Sequence, residues 1–198
     1  MTETEKLKDT LFDNKKNGWD GLSLEDKQNV LKFSDEFIYF LNTCKTEREA
    51  TEFIVDVLKK NDFTDLREKL VLAPGDKVYY INRDKSVYAA IIGSKSIESG
   101  LNIIGSNIDS PRLDLKPNPL YEDTDMAYLK THYYGGIKKY QWTTIPLSIH
   151  GVIVKANGEK IKVNVGEDDE DSIFTITDLL PHLAVEQSDK KLKDAIPG

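Results

Sequence analysis

The chain is short of sulfur, of histidine and of long apolar runs, and each shortage excludes something. One cysteine, Cys44, in 198 residues permits no intrachain disulfide. It lies in a helical apolar pattern and reads as a buried thiol rather than a nucleophile. The three histidines, His132, His150 and His182, are too scattered to argue a Ser-His-Asp or Cys-His arrangement. His132 reads as a structural strand residue, and His150 and His182 as non-catalytic. No apolar run reaches about 18 residues, so no membrane span is expected. Met1-Thr2-Glu3-Thr4-Glu5-Lys6 lacks an apolar signal core, which points to the cytoplasm. No phosphate-binding glycine motif is present. Basic residues are outnumbered, 27 Lys and Arg against 34 Asp and Glu, and a net charge of -7 with a pI near 5.1 argues against a nucleic-acid partner.

What is present fits a globular protein: 39% hydrophobic and 31% charged residues. Leu7, Leu11 and Phe12 give residues 3 to about 16 a weak helical stripe, broken at Gly18-Trp19-Asp20-Gly21. Ser23 with Asp26 caps a second helix. That helix carries Val30, Phe33, Phe37 and Leu41 as its core face and ends near Asn42. Thr46 with Glu49 is a capping box for a third, through Phe53, Ile54, Val57 and Leu58, closed near Asn61 by a left-handed cap. Thr64 to Leu70 reads as a short helical turn and Pro74-Gly75-Asp76 as a tight turn. Lys77–Ile81 and Val87–Ile92 form a hairpin across Asn82-Arg83-Asp84-Lys85, and Ser94 to Gly100 a loop. Helices followed by strands with distant partners imply an α/β domain with a mixed sheet.

The rest of the chain is organised around Gly105-Ser106-Asn107-Ile108-Asp109-Ser110-Pro111-Arg112-Leu113-Asp114-Leu115-Lys116-Pro117. Leu101–Ile104 reads as a buried strand leading into it, ending by Ser110 because Pro111 has no N–H to give to a ladder. Asn107 and Asp109, two apart on extended backbone, point to one side. Polar groups at the carboxyl end of a buried strand are where open α/β sheets keep ligands, and they are also what caps a turn. Leu113 and Leu115 alternate with Arg112, Asp114 and Lys116 as a further strand. Pro117 to Asp125, with two prolines and several acids, reads as a solvated loop, and Leu129–Tyr134 as a strand. Lys138, Lys139, Tyr140 and Trp142 read either as contacts to substrate or a neighbouring subunit, or as an exposed basic patch with two packed aromatics.

From about residue 147 the pattern turns to β. Ile149–Lys155 and Lys160–Val165 flank Asn157-Gly158, a strong hairpin signal. Glu167-Asp168-Asp169-Glu170-Asp171 is a solvated acidic loop, and Ile173–Thr177 another strand. A boundary near 147 separates 1–146 from 147–198.

Gly105 to Lys116, then Tyr121-Glu122-Asp123 and Leu129 to Trp142 with its Tyr134-Gly135-Gly136, resemble the aspartyl and vacuolar aminopeptidase family of metallopeptidases, in its clostridial-type branch. The resemblance runs to about Leu183. It implies that residues 1–146 are the N-terminal part of a zinc-peptidase-like α/β catalytic domain with a mixed sheet. Residues 147–198 would begin an inserted β-rich domain that mediates subunit association, so a homo-oligomer is implied. In relatives, two metal ions, usually zinc, act with a glutamate base on peptides with a free N-terminus. The remaining ligands and that glutamate lie beyond the matched part, so the chain is expected to be truncated inside the inserted domain.

One departure falls at the centre of the motif. The family's His-x-Asp begins with a metal-bound histidine, and here that position is Asn107, whose amide oxygen is a poor zinc ligand. Asp109 stands at the position that orients the histidine, and without an imidazole that task is expected to be lost. Tyr134, Gly135 and Gly136 are implied to shape a substrate pocket. The chain alone is thus expected to be inactive, as a truncated peptidase or a non-catalytic protein acting through subunit association.

Overall fold

A computed structural model describes residues 2–12 and 17–196. The chain divides into two compact units, Met1–Thr43 and Cys44–Gly198. The first is helical. Helix α1 spans Glu3–Leu11; its expected continuation to about residue 16 falls outside the described residues. A single 3₁₀ turn occupies Gly18–Gly21, capped by the Asn17 side chain accepting from the Trp19 N–H. Helix α2 spans Leu24–Thr43. Ser23 caps it as expected: its Oγ accepts from the Asp26 N–H at 3.0 Å and donates to the Asp26 carboxylate at 2.7 Å. The core role expected for the α2 stripe is not seen, since α2 buries none of its residues and Phe33 is 70% exposed.

The second unit is built on helix α3, Glu47–Lys60. Its capping box forms as read: Thr46 Oγ1 accepts from the Glu49 N–H, and the Glu49 carboxylate accepts from the Thr46 N–H. At the other end Asn61 is not left-handed; Asp62 takes that conformation, with φ of 66°. Cys44 lies between α2 and α3 rather than within a helix, and is buried.

Helix α3 packs on a three-stranded mixed sheet, the α/β arrangement expected. Strand β1, Thr64–Asp65, runs parallel to β2, Lys77–Asn82, which pairs antiparallel with β3, Ser86–Ile91. The short helix expected over 64–70 is therefore β1 followed by a 3₁₀ turn, Leu66–Glu68. Buried Asp65 diverts the chain: its carboxylate caps that turn and pairs with Arg67, whose guanidinium holds it down to about 2. The β2–β3 turn has positive φ at Arg83 and Asp84, the twist a right-handed hairpin needs, although neither is glycine or asparagine. The core sits where Ala50, Thr51 and Val55 of α3 meet Val78 and Tyr79 of β2.

Two expectations fail beyond the sheet. Leu101–Ile104 is not a buried strand. Residues 101–111 belong to no strand, and Ile104 is fully exposed. A strand exists only by pairing, and no described residue pairs with this segment. Conversely, Pro117 to Asp123 is not a loop but part of β4, Arg112–Asp123, antiparallel to β5, Met126–Tyr134. The register shifts between Leu115 and Leu120, and the bulge holds Pro117 and Pro119, which have no N–H to give a ladder.

Strands β6, Ile149–Val154, and β7, Lys160–Val165, form the expected hairpin with Gly158 at φ 85°. Ile173–Thr177 is not a strand; only Phe174 and Ile176 bridge, to Leu147 and Thr143. A short helix α4, Val185–Ser188, follows.

Candidate functional site

The site is built where the segment 101–111 reaches the end of the β4–β5 ribbon. Arg112 opens β4 and pairs with Tyr134, the last residue of β5. Gly135 then turns with φ of 77° and lies close to Pro111; a Cβ there would stand 3.4 Å from the Pro111 Cα. This places Tyr134 beside the motif. Its hydroxyl donates to Asp109 Oδ2 at 2.6 Å. From the other side, Asn107 Nδ2 donates to Asp109 Oδ1 and to the Asp109 carbonyl, each at 3.2 Å.

Three of the residues singled out in the sequence, Asn107, Asp109 and Tyr134, are therefore brought together. Gly135 serves the close approach, and Gly136 has open space around it. Asp109 accepts its N–H from the side-chain amide of Asn107, two residues before it.

The electrostatics follow from these bonds. The Tyr134 hydroxyl first, and the Asn107 amide second, hold the Asp109 carboxyl below its usual range. The same bond raises the Tyr134 phenol, since ionising it would set two anions face to face.

Behind Tyr134 stands a charged cluster that sequence reading missed. The Arg112 guanidinium lies over the Tyr134 ring, with Cζ 4.2 Å from its centroid. Arg112 Nε donates to Asp114 at 2.7 Å, and its Nη1 is 3.5 Å from Glu47 Oε2. Glu47 Oε1 also pairs with Lys85 Nζ at 3.2 Å. Burial raises the Glu47 carboxyl, but its own backbone N–H and the two cations outweigh it, and the net shift is downward. A cavity of about 350 Å³ is lined by Glu47, Lys85, Ile108, Asp109, Arg112 and Tyr134. Glu47 is legible in the sequence only as a first-turn acid; its meeting with Arg112, far along the chain, is not.

A second cluster was also missed. His150, on β6 with its side chain 7% exposed, has Nδ1 2.8 Å from Glu49 Oε1 and Nε2 2.9 Å from Glu167 Oε1. Ser148 donates to the same Glu167 oxygen at 2.7 Å. Burial raises the Glu49 carboxyl, yet His150, Thr46 and the Lys45 N–H bring it below the ordinary range. Ser148 and then His150 do the same for Glu167. His132 and Asp114 are paired positions on β5 and β4.

The residues present do not fit zinc. Residue 107 offers zinc only an amide oxygen, a poor donor beside imidazole, and both Asp109 oxygens accept hydrogen bonds, from Asn107 and Tyr134. No group of three His, Cys, Asp or Glu side chains placed to hold a metal occurs among the described residues.

The sequence profile described as aminopeptidase I zinc metalloprotease (M18) matches residues 40–196. The chain belongs to the M18 aminopeptidase family. Among curated M18 relatives, a probable M18 family aminopeptidase 1 of Borrelia garinii is 50% identical over 185 residues, covering 93% of this chain and 40% of that protein. One from Clostridium acetobutylicum is 49% identical, covering 92% and 40%. The crystal structure of an M18 aminopeptidase from Thermotoga maritima superposes with a TM-score of 0.83 at 42% identity, covering 92% of this chain and 39% of that one. The chain thus spans about 40% of the length of the curated M18 relatives it matches. No described helix is long and apolar enough to cross a membrane.

Proposed function

We propose that this chain is the N-terminal part of a cytoplasmic M18-type metallo-aminopeptidase, and that by itself it does not hydrolyse peptides. The activity of the longer protein is removal of N-terminal residues from peptides. Two zinc ions would polarise the scissile carbonyl and supply activated water there. Residues 1–146 belong to the catalytic domain on this reading. Residues 147–198 begin the β-rich domain through which subunits associate into a homo-oligomer.

The observation that carries the reading is the state of the motif. Residue 107 is an amide bonded to Asp109, and the metal-type side chains near it are too few. On this reading Asn107, Asp109 and Tyr134 act within this chain as a hydrogen-bonded polar site rather than a metal centre.

The test is zinc content after dialysis, measured on the purified chain and on Asn107→His, with an aminopeptidase assay over several N-terminal residues. Neither protein should hold stoichiometric zinc or release amino acids. Zinc bound by the wild-type chain would overturn the reading of Asn107.

A second reading, that the chain is a non-catalytic protein acting through association with an intact homologue, is favoured by the same amide at residue 107. A mixed oligomer with a full-length relative, detected by native mass spectrometry, would support it.

A further inference from the structure

We infer that Tyr134 is a positioning residue, holding the Asp109 carboxylate, and through it the Asn107 amide, on a chain of contacts that starts at Glu47 in the first turn of α3. The inference rests on the reading of Asn107 and Asp109 as the M18 site, and assigns Tyr134 a task other than contact with substrate.

The argument begins with what the motif lacks. Residues 101–111 make no backbone–backbone hydrogen bond among the described residues. A segment without a ladder is held by side chains or not at all. Its internal bonds, Asn107 to Asp109, tie the loop to itself but to nothing else. The hydrogen bond that reaches it from another element is the one from Tyr134, 25 positions away in sequence. At 2.6 Å, from a neutral hydroxyl to a carboxylate, it is a short charge-assisted bond.

Tyr134 is itself constrained. Its backbone is fixed by pairing with Arg112, and its ring is covered by the Arg112 guanidinium. That guanidinium is planar, donates to Asp114 through Nε, and has its buried Nη1 at ion-pair distance from Glu47 without a hydrogen bond to it. Glu47 is fixed by the helix whose capping box Thr46 and Glu49 close. The order of contact is Glu47, Arg112, Tyr134, Asp109, Asn107. A carboxylate held this way presents one oxygen to residue 107 and cannot rotate away without losing the phenol. An imidazole at that position needs the same service from its aspartate.

The test reads the carboxylate, not the activity. In ¹⁵N–¹H spectra the Asn107 side-chain amide reports the ionisation of Asp109 through an acid titration from pH about 6 to about 2. In the wild-type chain the midpoint is expected below the ordinary 3.8 of an aspartate, because Tyr134 stabilises the anion. In Tyr134→Phe it should return toward that value. In Tyr133→Phe, which alters the neighbouring β5 residue that pairs with Leu113, it should not move. Asp109→Asn should abolish the step and so assign it.

A second measurement does not depend on Tyr134→Phe folding. In Asp109→Asn, one tyrosine followed by ultraviolet absorbance should ionise at lower pH than in the wild type. A Tyr134→Phe midpoint equal to the wild type, or a tyrosine titration unchanged in Asp109→Asn, would overturn the proposal. Zinc content and peptidase activity decide the functional reading and do not enter this titration, so each fails separately.

Discussion

Helix α3 and the segment 101–111 meet the same charged cluster but are held by opposite means. Helix α3 is specified locally. Thr46 and Glu49 close its first turn, Lys59 and Lys60 complement the dipole at its last, and Ala50, Thr51 and Val55 are buried against the sheet. Segment 101–111 has no regular backbone bonding and leaves Leu101, Ile103 and Ile104 exposed. It carries the motif nonetheless. The difference shows that the residues most legible as a site need not sit on the most strongly specified backbone; a neighbouring element can supply the rigidity.

Substitutions in the two regions should separate sharply. Ala50→Leu, at a position only 1% exposed, overpacks the α3–sheet contact and should cost about 1–3 kcal/mol in urea unfolding. Thr46→Ala removes the cap and should cost about 1 kcal/mol; a loss of helix signal with little change elsewhere would confine it to α3.

Acid comes next, with its sign set by Glu49 and Glu167. Both carboxyls lie below their ordinary 4.5 in the folded chain. Their contribution is therefore present above that value and lost as pH falls through the lowered folded values. The urea midpoint should drop from pH about 6 to about 3, and less so in Glu49→Gln. Equal drops in both proteins would remove Glu49 from the account.

Ile104→Ser, fully exposed, should change stability by no more than about 0.5 kcal/mol. A cost comparable to Ala50→Leu would erase the contrast and mean that 101–111 is buried in solution.

The start of α3 was readable because its cap is local, three residues from its partner; its buried face was not, since Ala50, Thr51 and Val55 are covered while Val57 of the expected stripe is exposed. The β2–β3 and β6–β7 hairpins were readable for the same reason, each a pair of alternating runs with a short turn. Leu101–Ile104 was misread because apolar character specifies a wish for burial, not a partner. Pro117 and Pro119 were misread because prolines usually end a strand, while here a bulge absorbs them.

Of the site, Asn107 and Asp109 were legible, being two apart on one short segment. The Glu47–Arg112–Tyr134 cluster was not, and neither was the pairing of Glu49 with His150, 101 positions apart.

By itself, the sequence determined the first-turn caps of α2 and α3, the hairpins, the kinship of the motif and the amide at residue 107. These rest on bonds between near neighbours or on the identity of one side chain. Only the tertiary structure decided that one Glu49 oxygen caps α3 while the other meets His150, and that a tyrosine at the end of β5 fixes Asp109. Such contacts join groups that the chain carries far apart, and their distances are set by how helix, sheet and ribbon pack, which no local pattern records.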